Sequence, residues 1–366
     1  MQQDFAIVIP SLNPGSQLPG CIASLRAATD VPIVLVDDGS RESEKVWFQQ
    51  CVADVPGVSL LTHGVNRGKG RALKTAFAHL LETRPDLAGC VTCDSDGQHA
   101  PADVVRCLSA LKDNPDVLVL GCRKFNLSHV PWKSRLGNNS MRMLFRLATG
   151  RDFMDTQTGL RAITASFMRE LLDCPGERFE FETHMLLRLR GREIVQLPIE
   201  TLYVEGNRET HFDPFRDSLK ISAIILLAVL RKLAKFTLSS GLSFGVDIGL
   251  FSWLYYCVFK EGFAGRLFLS VAIARVVSML FNYSCNRFFV FGDTGGKRKF
   301  DMAAFGKYIL LAVFILGASY GLTRLFHSVF RQVPVPWIKA CVDMALFFAS
   351  YGVQRLLIFG PAKPRR

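Results

Sequence analysis

Four long apolar stretches in the second half of the chain limit its fold more than any other feature. Each reaches the roughly 20 residues that a helix needs to cross the apolar part of a bilayer. The stretches run over residues 236–259, 267–291, 308–326 and 337–359. The sequence therefore predicts an all-α region with four transmembrane helices after a first half of ordinary composition.

Charge divides the chain at about the same place. Up to Leu230 there are 26 Lys and Arg residues against 27 Asp and Glu, and from Arg231 onward there are 18 against 5. Four crossings put the basic clusters near residues 231–235, 297–307 and 363–366 on one side, and the positive-inside rule makes that side cytoplasmic. The chain lacks the basic-then-apolar leader of a secreted protein, so we expect its first half in the cytosol. The partner of these basic residues is expected to be the lipid bilayer, with no nucleic acid.

The first half alternates β-rich runs with helical patterns. "FAIVIP", "VPIVLVDDGS", "GCVTCDSD" and "DVLVLGCR" are typical of strands, and helical patterns near residues 18–28, 43–52 and 103–113 lie between them. Strands that alternate with helices predict a mainly parallel sheet covered on both faces. Such sheets bind ligands at the carboxyl ends of their strands, where "DDGS" and "DSDGQH" both fall.

Two aspartates one residue apart follow a strand in "CVTCDSDGQHAP". Asp94 and Asp96 share a face of the extended chain, so the pair must meet a cation or hold two repelling charges apart. The alternative is that both carboxylates cap turns or the next helix. Cys90 and Cys93 form a C-x-x-C, but no second Cys/His pair follows, so we interpret them as part of a buried strand.

A glycine-rich turn leads into a helix at "NRGKGRA", residues 66–72. Its N–H groups and Lys69 favour a phosphate, or else the segment is a plain helix start with solvated basic residues. No G-x-G-x-x-G follows the first strand and no G-x-x-x-x-G-K-[ST] occurs, which argues against a dinucleotide-binding domain. The ten cysteines are scattered through both halves, which suits a reducing compartment.

The motifs "IVIPSLNP", "VDDGS", "NRGKGRALKTAF" and "DSDGQH", in this order, resemble family 2 glycosyltransferases of the α/β, Rossmann-like GT-A fold. They are most similar to polyprenyl-phosphate sugar synthases of the dolichyl-phosphate mannose synthase type. The resemblance covers roughly residues 4–210, and "DTQTGLRA" resembles the D-x-x-x-G-x-R segment of these enzymes. The Q-x-x-R-W of processive synthases does not occur. The apolar half resembles the GtrA-like four-helix membrane domain.

The resemblance implies a metal-dependent site for a nucleotide sugar. It assigns Asp94 and Asp96 to the D-x-D motif that holds Mg²⁺ or Mn²⁺, with Gln98 as a further metal or phosphate contact. Such a cation offsets the charge of the departing diphosphate. The residues implied to bind the nucleotide sugar are Pro10, Asn13, Asp37, Asp38, Lys69 and Asp94. Asp38 is equally explained as an N-cap or Asx-turn residue.

The acceptor side of the site is implied to be basic. A phosphate monoester is an anion at neutral pH, so it needs cations to hold it rather than a general base. Arg123 and Arg135 match arginines of the lipid-phosphate synthases and give phosphate a forked contact, and we count them as catalytic with Asp94 and Asp96. The residues predicted to bind the acceptor phosphate are Arg123, Lys133, Arg135, Arg161 and His211.

The sequence thus predicts an inverting hexosyltransferase at the cytosolic face of the cytoplasmic membrane. Its substrates would be a UDP- or GDP-hexose and a polyprenyl phosphate, undecaprenyl or dolichyl. The predicted domains are a GT-A domain over 1–215, an interfacial amphipathic linker helix over 216–235 and a GtrA-like domain over 236–366. The alternatives are transfer to another membrane lipid, and a transport or scaffold role for a lipid-linked sugar. Self-association through the membrane domain is left open.

Two further features of the membrane half carry predictions. "NYSCNRFFVFG" and "ASYGVQRLLIFG" match at a spacing of 68 residues, which predicts two similar helical hairpins. Asp247, Arg275 and Asp343 fall within the spans, where an unpaired charge costs about 2.5 to 3.5 kcal/mol. We therefore expect Arg275 to pair with Asp247 or Asp343, unless these charges lie at helix ends. Residues 221–230 lie along the inner leaflet or join residues 231–259 in one longer helix.

Overall fold

The computed structural model describes residues 4–114, 116–123, 132–189, 191–200, 216–292 and 301–360, with the side chains of residues 132–138 and 336 left out. The chain divides into two compact units. The first is built mainly from residues up to Ile225, and the second consists of Arg146–Arg151 and Leu226–Ala362.

A seven-stranded sheet forms the centre of the first unit. Its strand order is β3-β2-β1-β4-β6-β5-β7. The β1–β2, β1–β4, β2–β3 and β5–β7 pairs are parallel, whereas β6 runs antiparallel to both of its neighbours. The strands are β1 Asp4–Ser11, β2 Ile33–Asp37, β3 Val58–Thr62, β4 Leu87–Thr92, β5 Val117–Arg123, β6 Arg161–Thr164 and β7 Glu193–Ile199. The predicted mainly parallel α/β fold is confirmed.

Helices of this unit cover the sheet on both faces. Ile7, Val8 and Ile9 are completely buried, so consecutive residues of β1 face apolar surroundings on either side, as a parallel strand between two helical layers requires. The described helices are α1 Leu18–Ala28, α2 Lys45–Asp54, α3 Lys69–Thr83, α4 Pro101–Asp113, α5 Trp132–Thr149, α6 Ala165–Leu172 and α7 Glu180–Leu187. α4 begins with proline in its first turn, where a missing N–H leaves no hydrogen bond unmade.

The described part of the second unit is entirely helical apart from its connections. Its main helices are α8 Arg216–Trp253, α9 Arg266–Cys285, α10 Met302–Val329 and α11 Val335–Val353. α8, which begins in the first unit, is continuous, so the predicted linker residues 216–235 and the following apolar stretch belong to one helix. This is the second of the two alternatives drawn from the sequence.

Three of the four predicted spans are long and apolar enough to cross a membrane, among the described residues. They are Arg266–Val290, Met302–Val329 and Trp337–Ile358. The remaining stretch lies in α8, where Arg231, Lys232 and Lys235 interrupt one end and serines with Asp247 lower the hydropathy of the other.

The predicted repeat corresponds to a repeated structure in the second unit. α9 and α11 each end in a π-helical turn, over Asn286–Val290 and Gln354–Ile358. Phe291 and Phe359, which occupy equivalent positions, stack with ring centroids 5.3 Å apart. The Asn286 side-chain amide donates to Gln354 Oε1 at 3.0 Å, and these two residues are also 68 positions apart. The two halves of the repeat therefore meet through equivalent residues.

One of the two predicted charge pairs is present. Arg275 Nη2 lies 3.3 Å from Asp247 Oδ2, and Ser278 donates to the other oxygen of Asp247 at 3.0 Å. Asp343 pairs instead with Lys339, four residues earlier on α11, at 2.6 Å. Arg275 pairs with Asp247 because α9 packs beside α8, whereas Asp343 pairs with a lysine on its own helix.

Candidate active site

The carboxyl ends of β1, β2 and β4 lie side by side and bring the predicted donor-site motifs together. Ser11 at the end of β1 is in register with Asp37 at the end of β2. Asp94 follows two residues after Thr92, the last residue of β4, which pairs with the other side of β1. This edge is where ligands of parallel sheets bind, because the loops diverge there.

Asp94 contacts the side chains of a lysine and a histidine. Lys69 Nζ lies 2.7 Å from its Oδ1, and His99 Nε2 lies 3.4 Å from its Oδ2. Burial would raise the pKa of this carboxyl, but the charge of Lys69 and the contact with His99 outweigh burial and hold it well below its usual range. Gly159 packs against the same group, since a Cβ there would stand 2.1 Å from Asp94 Oδ2.

Lys69 is the first residue of α3 and bridges two acids. Its ammonium group also lies 3.1 Å from Glu182 Oε1, at the start of α7. Burial favours the neutral amine, but Asp94 and Glu182 overcome this and raise the pKa of Lys69. Arg161 supports the arrangement by donating from Nη1 to the Glu182 carbonyl oxygen at 3.0 Å. Glu182 lies 113 residues after Lys69 in the chain, and only the fold brings the two side chains together.

Asp96 and Gln98 lie in the loop directly after Asp94. The Gln98 backbone N–H donates to Asp96 Oδ1 at 3.0 Å, a local Asx-type contact. Burial and the neighbouring Asp94 charge both raise the pKa of Asp96. In the described residues no group of three or more His, Cys, Asp or Glu side chains is gathered as a metal cluster. The pair nevertheless fits Mg²⁺ or Mn²⁺ in donor type. Asp94 already binds one cation, the ammonium group of Lys69.

The loops after β1 and β2 are tied to each other. Asn13, with a φ of 48°, accepts from the Arg41 N–H through Oδ1 and donates its own N–H to Ser40 Oγ, both at 2.9 Å. Asp37 Oδ1 accepts from the Ser40 N–H at 2.8 Å, and Asp37 is almost fully buried. Pro10 is buried within β1. The predicted roles of these residues in nucleotide binding stay predictions.

Asp38 anchors the glycine-rich turn. Its carboxylate accepts the backbone N–H groups of Arg67 at 3.0 Å and Gly68 at 2.7 Å, and it lies 2.7 Å from His63 Nδ1. These contacts fix the start of α3, and with it the position of Lys69. Asp38 therefore has a structural role, and its predicted contact with the nucleotide stays a prediction.

Arg123 and Arg161, the predicted acceptor-side arginines whose side chains the structure describes, have carboxylate or carbonyl partners. Arg123, at the end of β5, donates from Nε and Nη2 to the two oxygens of Asp155 at 2.7 and 3.2 Å. Arg161 is 1% exposed and donates to the carbonyl oxygens of Thr158 and Glu182. The structure thus locates Arg161 beneath Glu182, and its contact with an acceptor phosphate stays a prediction.

Three predicted acceptor residues lie outside the described residues. They are His211 and the side chains of Lys133 and Arg135, whose backbone belongs to the first turns of α5. His63 and His99 were not assigned to the site from the sequence. His99 lies three residues after Asp96 in "DSDGQH", and this position was the available signal for it, whereas His63 belongs to no motif.

Fold and site together define an α/β domain of the kind that binds ligands at the carboxyl edge of its sheet, followed by a helical region with candidate membrane spans. Residues 6–174 match the model of Glycosyl transferase family 2, and residues 235–359 match that of the GtrA/DPMS transmembrane domain. The chain therefore joins a family 2 glycosyltransferase domain to a GtrA/DPMS transmembrane domain. It is a membrane protein.

Similar proteins with named activities cover the first half of the chain. The UDP-N-acetylglucosamine–dolichyl-phosphate N-acetylglucosaminyltransferase of Methanococcus voltae is 26% identical over 54% of this chain and 86% of its own. The undecaprenyl-phosphate mannosyltransferase of Micrococcus luteus is 26% identical over 52% and 81%. The crystal structure of Mycobacterium tuberculosis glucosyl-3-phosphoglycerate synthase is 18% identical with a TM-score of 0.46, covering 63% of this chain and 80% of that chain.

Proposed function

We propose that the protein is an inverting hexosyltransferase that moves a hexose from a UDP- or GDP-sugar to polyprenyl phosphate. The observation that carries this proposal is the Asp94 and Asp96 pair at the carboxyl edge of the sheet, where Asp94 is in contact with the ammonium group of Lys69. The spans of the second unit support a lipid-linked acceptor. The relatives named for dolichyl and undecaprenyl phosphate support the same acceptor class.

In this proposal Asp94 and Asp96, with Gln98, would hold Mg²⁺ or Mn²⁺. When bound, the metal supplies Lewis-acid stabilisation of the departing diphosphate. Lys69 contributes a further positive charge beside the diphosphate, and Arg123 and Arg135 bind the acceptor phosphate. An acceptor phosphate oxygen attacks the anomeric carbon as the bond from that carbon to the diphosphate oxygen breaks on the opposite face. The configuration is therefore inverted, and no general base is required because the acceptor is already ionised.

The proposed location is the cytoplasmic membrane, with the catalytic unit in the cytosol. The basic residues that flank the spans, among them Arg231, Lys232, Lys235 and Lys307, support this orientation.

The test uses the purified chain in detergent with undecaprenyl phosphate, Mg²⁺ or Mn²⁺ and a panel of UDP- and GDP-sugars. Mass spectrometry should find polyprenyl phosphate that has gained one hexose. The donor that gives this product identifies the sugar and the nucleotide. Asp96→Ala should lower the rate about a hundredfold or more, because a group that stabilises the leaving charge is lost. Asp86→Asn, at an exposed turn before β4, is the matched control and should keep the wild-type rate.

Other outcomes favour the alternatives. A hexose found on a different membrane lipid, with none on polyprenyl phosphate, would contradict the proposed acceptor. An Asp96→Ala protein that still supports glycolipid formation in cells would contradict an enzymatic role and favour a transport or scaffold role.

A further inference from the structure

We propose that Lys69 is the resident counter-ion of Asp94, and that a divalent cation must displace its ammonium group before the donor site becomes functional. This inference rests on the proposed function and adds a step that precedes donor binding. It concerns three side chains: Lys69 from α3, Asp94 from the loop after β4, and Glu182 from the start of α7.

Both oxygens of Asp94 are engaged in the present structure. Oδ1 lies 2.7 Å from Lys69 Nζ, Oδ2 lies 3.4 Å from His99 Nε2, and Gly159 closes the space on the Oδ2 side. A metal ion bound through Asp94 needs one of these oxygens at coordination distance. Lys69 and the metal ion therefore compete for the same carboxylate, and the two positive charges repel each other across a few ångströms.

Glu182 gives Lys69 a second partner that the predicted metal set does not use. The ammonium group lies 3.1 Å from Glu182 Oε1, and Arg161 holds the Glu182 backbone from below. Lysine is a compact charge on a flexible four-carbon chain, so it can leave one carboxylate and keep the other. After displacement it stays in the site as a cation, where a diphosphate is the natural new partner.

This competition has two consequences of opposite sign. Loss of the Lys69 charge should strengthen binding of a divalent cation to the site without nucleotide, because the competitor is gone. The same loss should weaken use of the nucleotide sugar, because a cation beside the diphosphate is gone. A lysine that served only to stabilise the fold would weaken both.

The experiment measures binding of Mn²⁺ alone to the full-length protein in detergent by electron paramagnetic resonance. Lys69→Met should lower the Kd for Mn²⁺ about tenfold relative to wild type, the effect of removing one nearby like charge in a partly buried site. Lys69→Gln, which keeps hydrogen bonding to both acids, should shift the Kd in the same direction. Thermal unfolding checks that each variant folds.

Arg71→Met is the matched control. Arg71 lies on the same helix two residues later and pairs with Glu177, so its loss removes the same charge without touching Asp94. Its Kd for Mn²⁺ should stay within about twofold of wild type, since its charge is partly exposed and screened. An Arg71→Met effect as large as that of Lys69→Met would overturn the proposal, because net charge alone would explain it.

Asp94→Asn separates this inference from the proposed function. Wild-type or weaker Mn²⁺ binding in both Lys69 variants, together with lost binding in Asp94→Asn, overturns the counter-ion role and leaves the carboxylate metal site standing. Equal Mn²⁺ binding in all variants, including Asp94→Asn, overturns both the counter-ion role and the metal site. Hexose transfer by the wild-type protein, assayed in parallel, reports on the proposed function itself.

Discussion

At the scale of single residues, the aspartates of the site differ in what binds them. Asp38 is held by two backbone N–H groups, which move only if the chain moves. Asp94 is held by the side chains of Lys69 and His99, which can rotate away. The two aspartates therefore differ in role. Asp38 fixes the backbone of a loop, whereas Asp94 can exchange its side-chain partners.

Asp155 holds Arg123, and this pair gives the first prediction at this scale. Asp155→Asn removes the charge from a carboxylate that is 0% exposed and leaves the Arg123 guanidinium without its bidentate anion. We expect a loss of about 1 to 3 kcal/mol in the free energy of unfolding, as for other hydrogen-bonded charges that lose a partner. Thermal or denaturant unfolding in detergent measures it.

Asp152→Asn provides the comparison for Asp155. Asp152 pairs with Arg142 at 3.0 Å, but it is 45% exposed, so water replaces the lost contact. The loss should stay below about 1 kcal/mol. Equal losses for the two variants would show that the Arg123 pair contributes no more than a surface ion pair.

At the scale of elements, the antiparallel strand β6 brings Gly159, in the turn before it, to the site. β6 lies between β4 and β5 and pairs with both, so the turn before it crosses the end of β4. Thr92 in β4 donates to the Gly159 carbonyl oxygen at 2.9 Å, which fixes Gly159 against Asp94. The D-x-x-x-G-x-R segment therefore needs glycine for space rather than for an unusual backbone conformation.

Gly159→Ala tests this close approach. The new Cβ would meet Asp94 Oδ2 at 2.1 Å, so the carboxylate must move. We expect hexose transfer to fall about a hundredfold, as a displacement of about 1 Å in a reacting site can cause. Gly20→Ala in α1, where a Cβ meets nothing within 4 Å, should leave transfer unchanged. A Gly159→Ala protein with wild-type transfer would contradict the assigned position of Asp94.

At the scale of the whole molecule, the number of helices that cross the membrane decides on which side of it each connection of the second unit lies. Three described helices meet the length and hydropathy of a span, while α8 carries serines and charged residues along its length. α8 still packs beside α9 through the Arg275–Asp247 pair and Ser278. We expect α8 to cross as the fourth span, with its polar residues turned toward its neighbour.

Labelling with a membrane-impermeant maleimide tests this topology. In a protein without the exposed Cys257 and Cys341, Glu261→Cys should react in intact cells, and Met302→Cys only after the membrane is opened. Both positions are exposed, in the α8–α9 connection and at the start of α10. The reverse pattern would mean that α8 does not cross the membrane.

Several features of this protein follow from the sequence by itself. The apolar stretches, the basic flanks and the alternation of strand and helix patterns are each carried by residues close together along the chain. The repeat is visible as two short matching segments 68 residues apart. Parallel strands have their carboxyl ends at one edge, so "DDGS" and "DSDGQH" were expected at the same edge once the sheet was predicted. Local periodicity was sufficient for these features because each depends on a short stretch of chain.

The partners of the charged residues were decided only by the tertiary structure. Lys69, Asp94 and Glu182 come from three distant parts of the chain, and the antiparallel insertion of β6 puts Arg161 beneath Glu182 rather than at the surface. Arg275 had two equally suitable acids in the sequence, and packing of α9 beside α8 selected Asp247. A carboxylate or an arginine has the same local pattern whatever it pairs with, and long-range packing alone brings one particular partner within reach.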